Sequence, residues 1–127
     1  MLDAVHNYWL LAAGAASGAT LLIHVFAGGP SIARPLLSAT DIDEVARLTN
    51  YYCWHLVSIT LAAMTFGFTY PAFTSGEAAL AAMWTVIAAA FALWSVALVI
   101  WKRQRALDLP QWTLFAAIAG LGAMGLV

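Results

Sequence analysis

Residues 78–105 read AALAAMWTVIAAAFALWSVALVIWKRQR, an uncharged apolar run from Ala78 to Trp101 closed by Lys102, Arg103 and Arg105. A helix rises about 1.5 Å per residue, so roughly 20 apolar residues cross a hydrocarbon core of about 30 Å. This run is long enough to cross, and the cations behind it stand where a span meets water. Outward from it lie three more apolar stretches of comparable length, Tyr8 to Ala27, Tyr51 to Tyr70 and Leu109 to Val127. Composition agrees: 64% of residues are hydrophobic and 9% charged, a balance that leaves a soluble domain too little polar surface. The sequence predicts an all-α fold, an integral membrane antiparallel four-helix bundle with short loops, forming a single domain over residues 1–127.

Each span carries helix punctuation. Thr74 with Glu77, and Asp108 with Gln111, have capping-box spacing ahead of the third and fourth spans, and Pro71 is expected to end the second. Pro110 falls in the first turn of the fourth, where a missing N–H costs nothing. Gly28-Gly29-Pro30 is expected to end the first helix. Asp41 and Glu44 then cap a short amphipathic helix over about 41–49, with Ile42, Val45, Ala46 and Leu48 resting on the membrane surface.

All five Lys and Arg residues, Arg34, Arg47, Lys102, Arg103 and Arg105, fall in the segments 28–50 and 102–108. By the positive-inside rule these loops are cytoplasmic, and both termini are periplasmic in a bacterial inner membrane. The amino end carries Asp3 and no cation ahead of its apolar run, so the first span is expected to be retained and not cleaved as a signal. Cys53, the single cysteine, excludes an internal disulfide and a cysteine-only metal site. A net charge of −1 with no basic block outside the short loops excludes nucleic acid as a partner.

Helices in lipid associate through close packing and interhelical hydrogen bonds, so small residues mark inner faces. On the first span Gly14, Ser17, Leu21 and His24 share such a face. The second divides into a stripe of His55, Ser58, Ala62, Thr65 and Thr69, expected inside, and one of Trp54, Val57, Leu61, Met64 and Phe68, expected outside. On the third, Ala81, Thr85, Ala88, Ala92 and Ser95 oppose Trp84, Ile87, Phe91, Trp94, Leu98 and Trp101. Ala116, Gly120 and Ala123 form the compact face of the fourth.

His24 stands about one turn before the end of the first span and His55 about one turn into the second. Both imidazoles are therefore expected at one depth and facing the bundle. There they can hydrogen-bond between helices, or act as axial ligands to haem b or to a chlorophyll-type pigment; no separate metal site is expected. Arg34 and Arg47 are read as pairing with the acidic loop of Asp41, Asp43 and Glu44 or with a lipid phosphate. Trp84, Phe91, Trp94 and Trp101 are candidate contacts for lipid or for another membrane subunit.

The pattern His24-x-x-x-Gly28-Gly29, Arg34-Pro35-Leu36-Leu37 and Cys53-Trp54-His55 resembles that of small four-helix bacterial integral membrane proteins over the first half of the chain. This implies a fold more than an activity. A fainter resemblance, departing in spacing, is to the HemJ-type protoporphyrinogen oxidases and CopD-type copper-resistance proteins. Three functions follow in order of expectation. The first is a non-catalytic accessory subunit of a photosynthetic or respiratory membrane complex, with lipid and other subunits as partners. The second is a haem- or pigment-binding electron-transfer protein using His24 and His55, and the third a small transporter.

Overall fold

The computed structural model describes residues 5–127; Asp3 lies outside them. All regular structure among the described residues is helical: α1 (Tyr8–Leu22), a π-helical stretch (Ile23–Ala33), α2 (Arg34–Ser38), α3 (Glu44–Phe73), α4 (Ala78–Trp101) and α5 (Gln111–Met124). Three continuous helical segments, Tyr8–Ser38, Glu44–Phe73 and Ala78–Trp101, are long and apolar enough to cross a membrane. At 14 residues, α5 is shorter than the predicted fourth span.

The break expected at Gly28-Gly29-Pro30 does not occur. Proline lacks an N–H, and its ring crowds the carbonyl four residues back, so a regular α ladder cannot run through Pro30. The chain widens instead into a π-helix, whose N–H groups reach the fifth residue back, as that of Arg34 reaches the Gly29 carbonyl. The hydroxyl of Ser31 donates to the Ala27 carbonyl at 2.7 Å within this stretch. The helix then continues as α2. Residues 41–49 likewise form no separate helix, because α3 starts at Glu44 and runs unbroken for 30 residues. Its cap is Asp43, not Asp41: the carboxylate accepts from the Val45 and Ala46 N–H groups at 3.0 and 3.3 Å. Pro71 lies inside α3, which ends at Phe73. Neither Glu77 nor Asp108 caps its helix with a side chain; Gly76, at φ 89°, makes the tight turn into α4.

Two clusters of contacts define the ends of the molecule. At one, the His6 and Asn7 N–H groups both donate to the Ala72 carbonyl at 2.8 and 3.1 Å. The Asn7 side chain caps α1 by accepting from Leu10 N–H at 3.1 Å and donates to the Gly125 carbonyl at 2.7 Å. The start of α1 and the ends of α3 and α5 therefore meet. At the other end, Asp108 and Gln111 share a cavity wall with His24 and Ala27. Every cation of the chain lies in the segments on this second side.

Helix α1 packs on α3 and α5, and α4 packs on α5 and α3. The expected inner stripe of α4 is inside, with Ala81, Ala88 and Ala92 buried, as are Gly14 and Ser17 of α1. The reading of α3 is corrected: Leu61, Met64 and Phe68, expected outside, are fully buried, and His55 and Ala62 are exposed. Thr65 and Thr69 are half-buried against Gly14. Helix α3 is flanked by α1 on one side and α4 on another, so its buried arc is wider than one small-residue stripe and is rotated from it. The face of α5 is corrected too, since Phe115, Ile118 and Gly122 are buried while Ala116, Gly120 and Ala123 are exposed. Trp84, expected on the outer face of α4, rests on the backbone of Gly67, where an added Cβ would overlap the indole.

The end of α4 carries an unusual cap. The Gln104 N–H bonds the Val99 carbonyl at 3.0 Å and the Arg103 N–H the Ile100 carbonyl at 3.2 Å, the paired bonds of a Schellman motif. Its left-handed position, at φ 52°, is held by Arg103 where glycine is the usual residue. Arg103→Gly should stabilise the fold by about 1 kcal/mol, measured as a rise in the thermal midpoint in detergent. Gly67→Ala should lose about 1–2 kcal/mol, overpacking against Trp84 exceeding the gain in helix propensity. Gly120→Ala, with nothing within 4 Å of the new methyl group, should be neutral or stabilising in the same assay.

Candidate functional site at the basic end

Of the residues singled out in the sequence, His24 and His55 do come to the same end of the molecule, with Trp54 between their surroundings. The π-helical stretch carries His24 and Gly28 on the side facing α3. The Trp54 indole stacks on the His24 ring at a centroid distance of 3.9 Å and 19° between planes. It also lies over Gly28, where a Cβ would come within 2.6 Å of the six-membered ring. His24 Nε2 is 3.2 Å from the Trp54 carbonyl oxygen. An imidazole protonated at Nε2 donates there, leaving Nδ1 as the free acceptor. The π-helical stretch is thus fastened to α3 by one ring stack, one hydrogen bond and one backbone seat for an indole.

His55 is a correction to the expectation that both rings face the bundle. It is exposed, and its one ring contact is edge-on to Tyr51 at 4.7 Å and 89°. The two imidazoles open onto different spaces. His24 lines a cavity of about 300 Å³ with Thr20, Leu61, Asp108 and Phe115. His55 lines a groove of about 510 Å³ with Phe26, Arg34, Tyr51 and Ser58. Trp54 borders both. A planar macrocycle held by both histidines would require this indole to leave its place.

The basic residues separate into two roles. Arg47 donates to the Ala39 carbonyl at 2.6 Å and so fixes the turn between α2 and α3. Arg34 makes no ion pair with Asp41, Asp43 or Glu44; it is exposed and lines the His55 groove. Lys102 lies 4.0 Å over the Trp101 ring, and Trp112 Nε1 donates to the Ala106 carbonyl at 3.0 Å, tying down the loop before α5.

The aromatic candidates of α4 also divide. Trp84 is internal, and Phe91 meets Phe115 edge-on at 5.1 Å. Trp94 and Trp101 are 64% and 68% exposed, on a face that no helix of this chain covers. Trp54 and Gly28 were not read as a pair in the sequence. The available signal was the spacing of His24 and Gly28 on one helix face, which leaves room for a large ring to lie across both.

Comparison with family profiles, with curated proteins and with solved structures finds no match to this chain. The resemblances drawn above rest on their quoted residues alone.

Gly28→Ala should push the Trp54 ring off His24 and destabilise the fold by about 1–3 kcal/mol. The expected readouts are a loss of near-ultraviolet circular dichroism and a lower thermal midpoint; an unchanged aromatic signal would show that the indole does not sit on this glycine.

Proposed function

We propose that the chain is an antiparallel four-helix bundle of the bacterial inner membrane, with its basic end cytoplasmic and both chain ends periplasmic. Its role is that of a non-catalytic accessory subunit docked through α4 onto a larger energy-transducing complex, photosynthetic or respiratory. The meeting of Asn7, Ala72 and Gly125 at one end, and of His24 with Asp108 at the other, supports the antiparallel course. Helix α5 is short for a span of about 30 Å, a mismatch that local bilayer thinning accommodates at modest cost.

The observation that carries the docking role is Trp94. It lies about 10 Å along α4 from Trp101 at a rise of about 1.5 Å per residue, which places it in the hydrocarbon rather than in the interfacial belt. Its indole N–H donates to no described residue, and lipid tails offer no acceptor at that depth. A partner helix offers both an acceptor and a complementary apolar surface. Val86, Leu93 and Ile100, each 67–71% exposed, extend the face.

Tagged chain extracted from native membranes in mild detergent should retain subunits in fixed stoichiometry. Trp94→Leu should reduce their recovery at least about tenfold, as expected for the centre of an interface, while leaving the thermal midpoint unchanged. Recovery of the chain alone, or partners retained equally by the variant, would overturn the docking role. An absorption spectrum of the same preparation tests the second reading, haem or pigment bound at His55, which its exposed ring on the groove favours.

A further inference from the structure

The groove between the π-helical stretch and the first turns of α3 has the chemistry of an amphiphile site. Its walls include Val25, Phe26, Leu37 and the Trp54 ring, and its polar groups are Arg34, Tyr51, His55 and Ser58. Ser58 already donates to the Trp54 carbonyl at 3.4 Å. The guanidinium of Arg34 has no partner among the described residues, although three carboxylates, Asp41, Asp43 and Glu44, follow it between α2 and the start of α3. A guanidinium presents a planar fork of donors that matches two oxygens of a phosphate.

Depth orders these groups. Counting from Tyr8 at the α-helical rise of about 1.5 Å per residue, a core of about 30 Å ends near Ala27, so Val25 and Phe26 lie at its edge and Arg34, beyond the π-helical stretch, among the headgroups. The groove is therefore cationic toward the water, and its inner end joins the apolar Val25 and Phe26 to the polar His55 and Ser58. No carboxylate among the described residues lines it, so the ammonium of a zwitterionic headgroup would find no counter-charge from them. The ester carbonyls of a glycerophospholipid lie inward of its phosphate, on the side where Tyr51 and His55 stand.

We propose that this groove binds an anionic glycerophospholipid of the leaflet at the basic end. Arg34 holds its phosphate, and Val25, Phe26 and Trp54 take the upper part of one acyl chain. The site rests on the membrane reading but not on docking through α4.

Native mass spectrometry of the full chain, equilibrated in detergent with equal amounts of phosphatidylglycerol and phosphatidylcholine, tests it. The expected result is one retained phosphatidylglycerol, favoured about tenfold, with the preference lost in Arg34→Gln and partly kept in Arg34→Lys. The double variant Lys102→Gln/Arg103→Gln should retain it, because those cations lie outside the groove. Equal retention of the two lipids would overturn the proposal, as would equal losses in Arg34→Gln and the double variant. Displacement of the lipid by millimolar inorganic phosphate alone would also overturn it, marking a free-anion site, and so would a Soret band abolished by His55→Ala. Loss of the chain from carbonate-washed membranes would instead overturn the membrane reading itself.

Discussion

Backbone that carries no side chain lets a neighbouring helix approach to within one ring or one hydroxyl, and the packing of this chain depends on such approaches. Thr69 rests on Gly14, Trp84 on Gly67 and Trp54 on Gly28. In each case a group of one helix lies on the main chain of another, so the contact is broad and leaves little freedom to slide. In the membrane setting proposed above, apolar side chains gain little by moving inward, because lipid tails are as apolar as the protein interior, and close approach supplies the association energy that the hydrophobic effect supplies in water. The three seats lie along α3 and its flanks, which explains why α3 contributes the largest fully buried side chains, Phe68, Leu61 and Met64.

That same reasoning explains which parts of the fold were legible in the sequence. Small residues predicted the inner face of α4, whose Ala81, Ala88 and Ala92 meet the bundle. They misled on α3. Its Thr65 and Thr69 face one neighbour, α1, but the centre of burial is about a quarter turn away at 100° per residue, on Leu61, Met64 and Phe68. The space for those side chains comes from other helices: Gly122 of α5 lies against Phe68. A stripe on one helix cannot report a vacancy on another. The same limit hid the seat of Trp54, whose partner Gly28 stands in a run that read as a helix terminator.

Pro30 links the fold to the site. Had the helix ended at Gly28-Gly29-Pro30, Arg34 would lie on a loop with no fixed relation to α3. The π-helical stretch keeps the chain helical, carries His24 and Gly28 under Trp54, and brings Arg34 to the rim of the groove that His55 and Tyr51 border. The concentration of histidines at one end was readable from span lengths and the order of the segments. The rotation of His55 to the outside was not, because it depends on where the wide buried arc of α3 is centred.

Charge at this end is held in place against local preference. The left-handed position that closes α4 favours glycine by about 1–2 kcal/mol over a residue with a Cβ, yet Arg103 occupies it. The loop it opens is short and is fastened by Trp112 to Ala106, so its cations cannot spread far from the end of α4. Arg47 is committed to the Ala39 carbonyl, and Lys102 lies over its neighbouring indole. These three contacts, with the left-handed turn at Arg103, fix the geometry of the end. Among the described residues Arg34 is carried on a continuous helix and is uncommitted, which is what the proposed phosphate site requires.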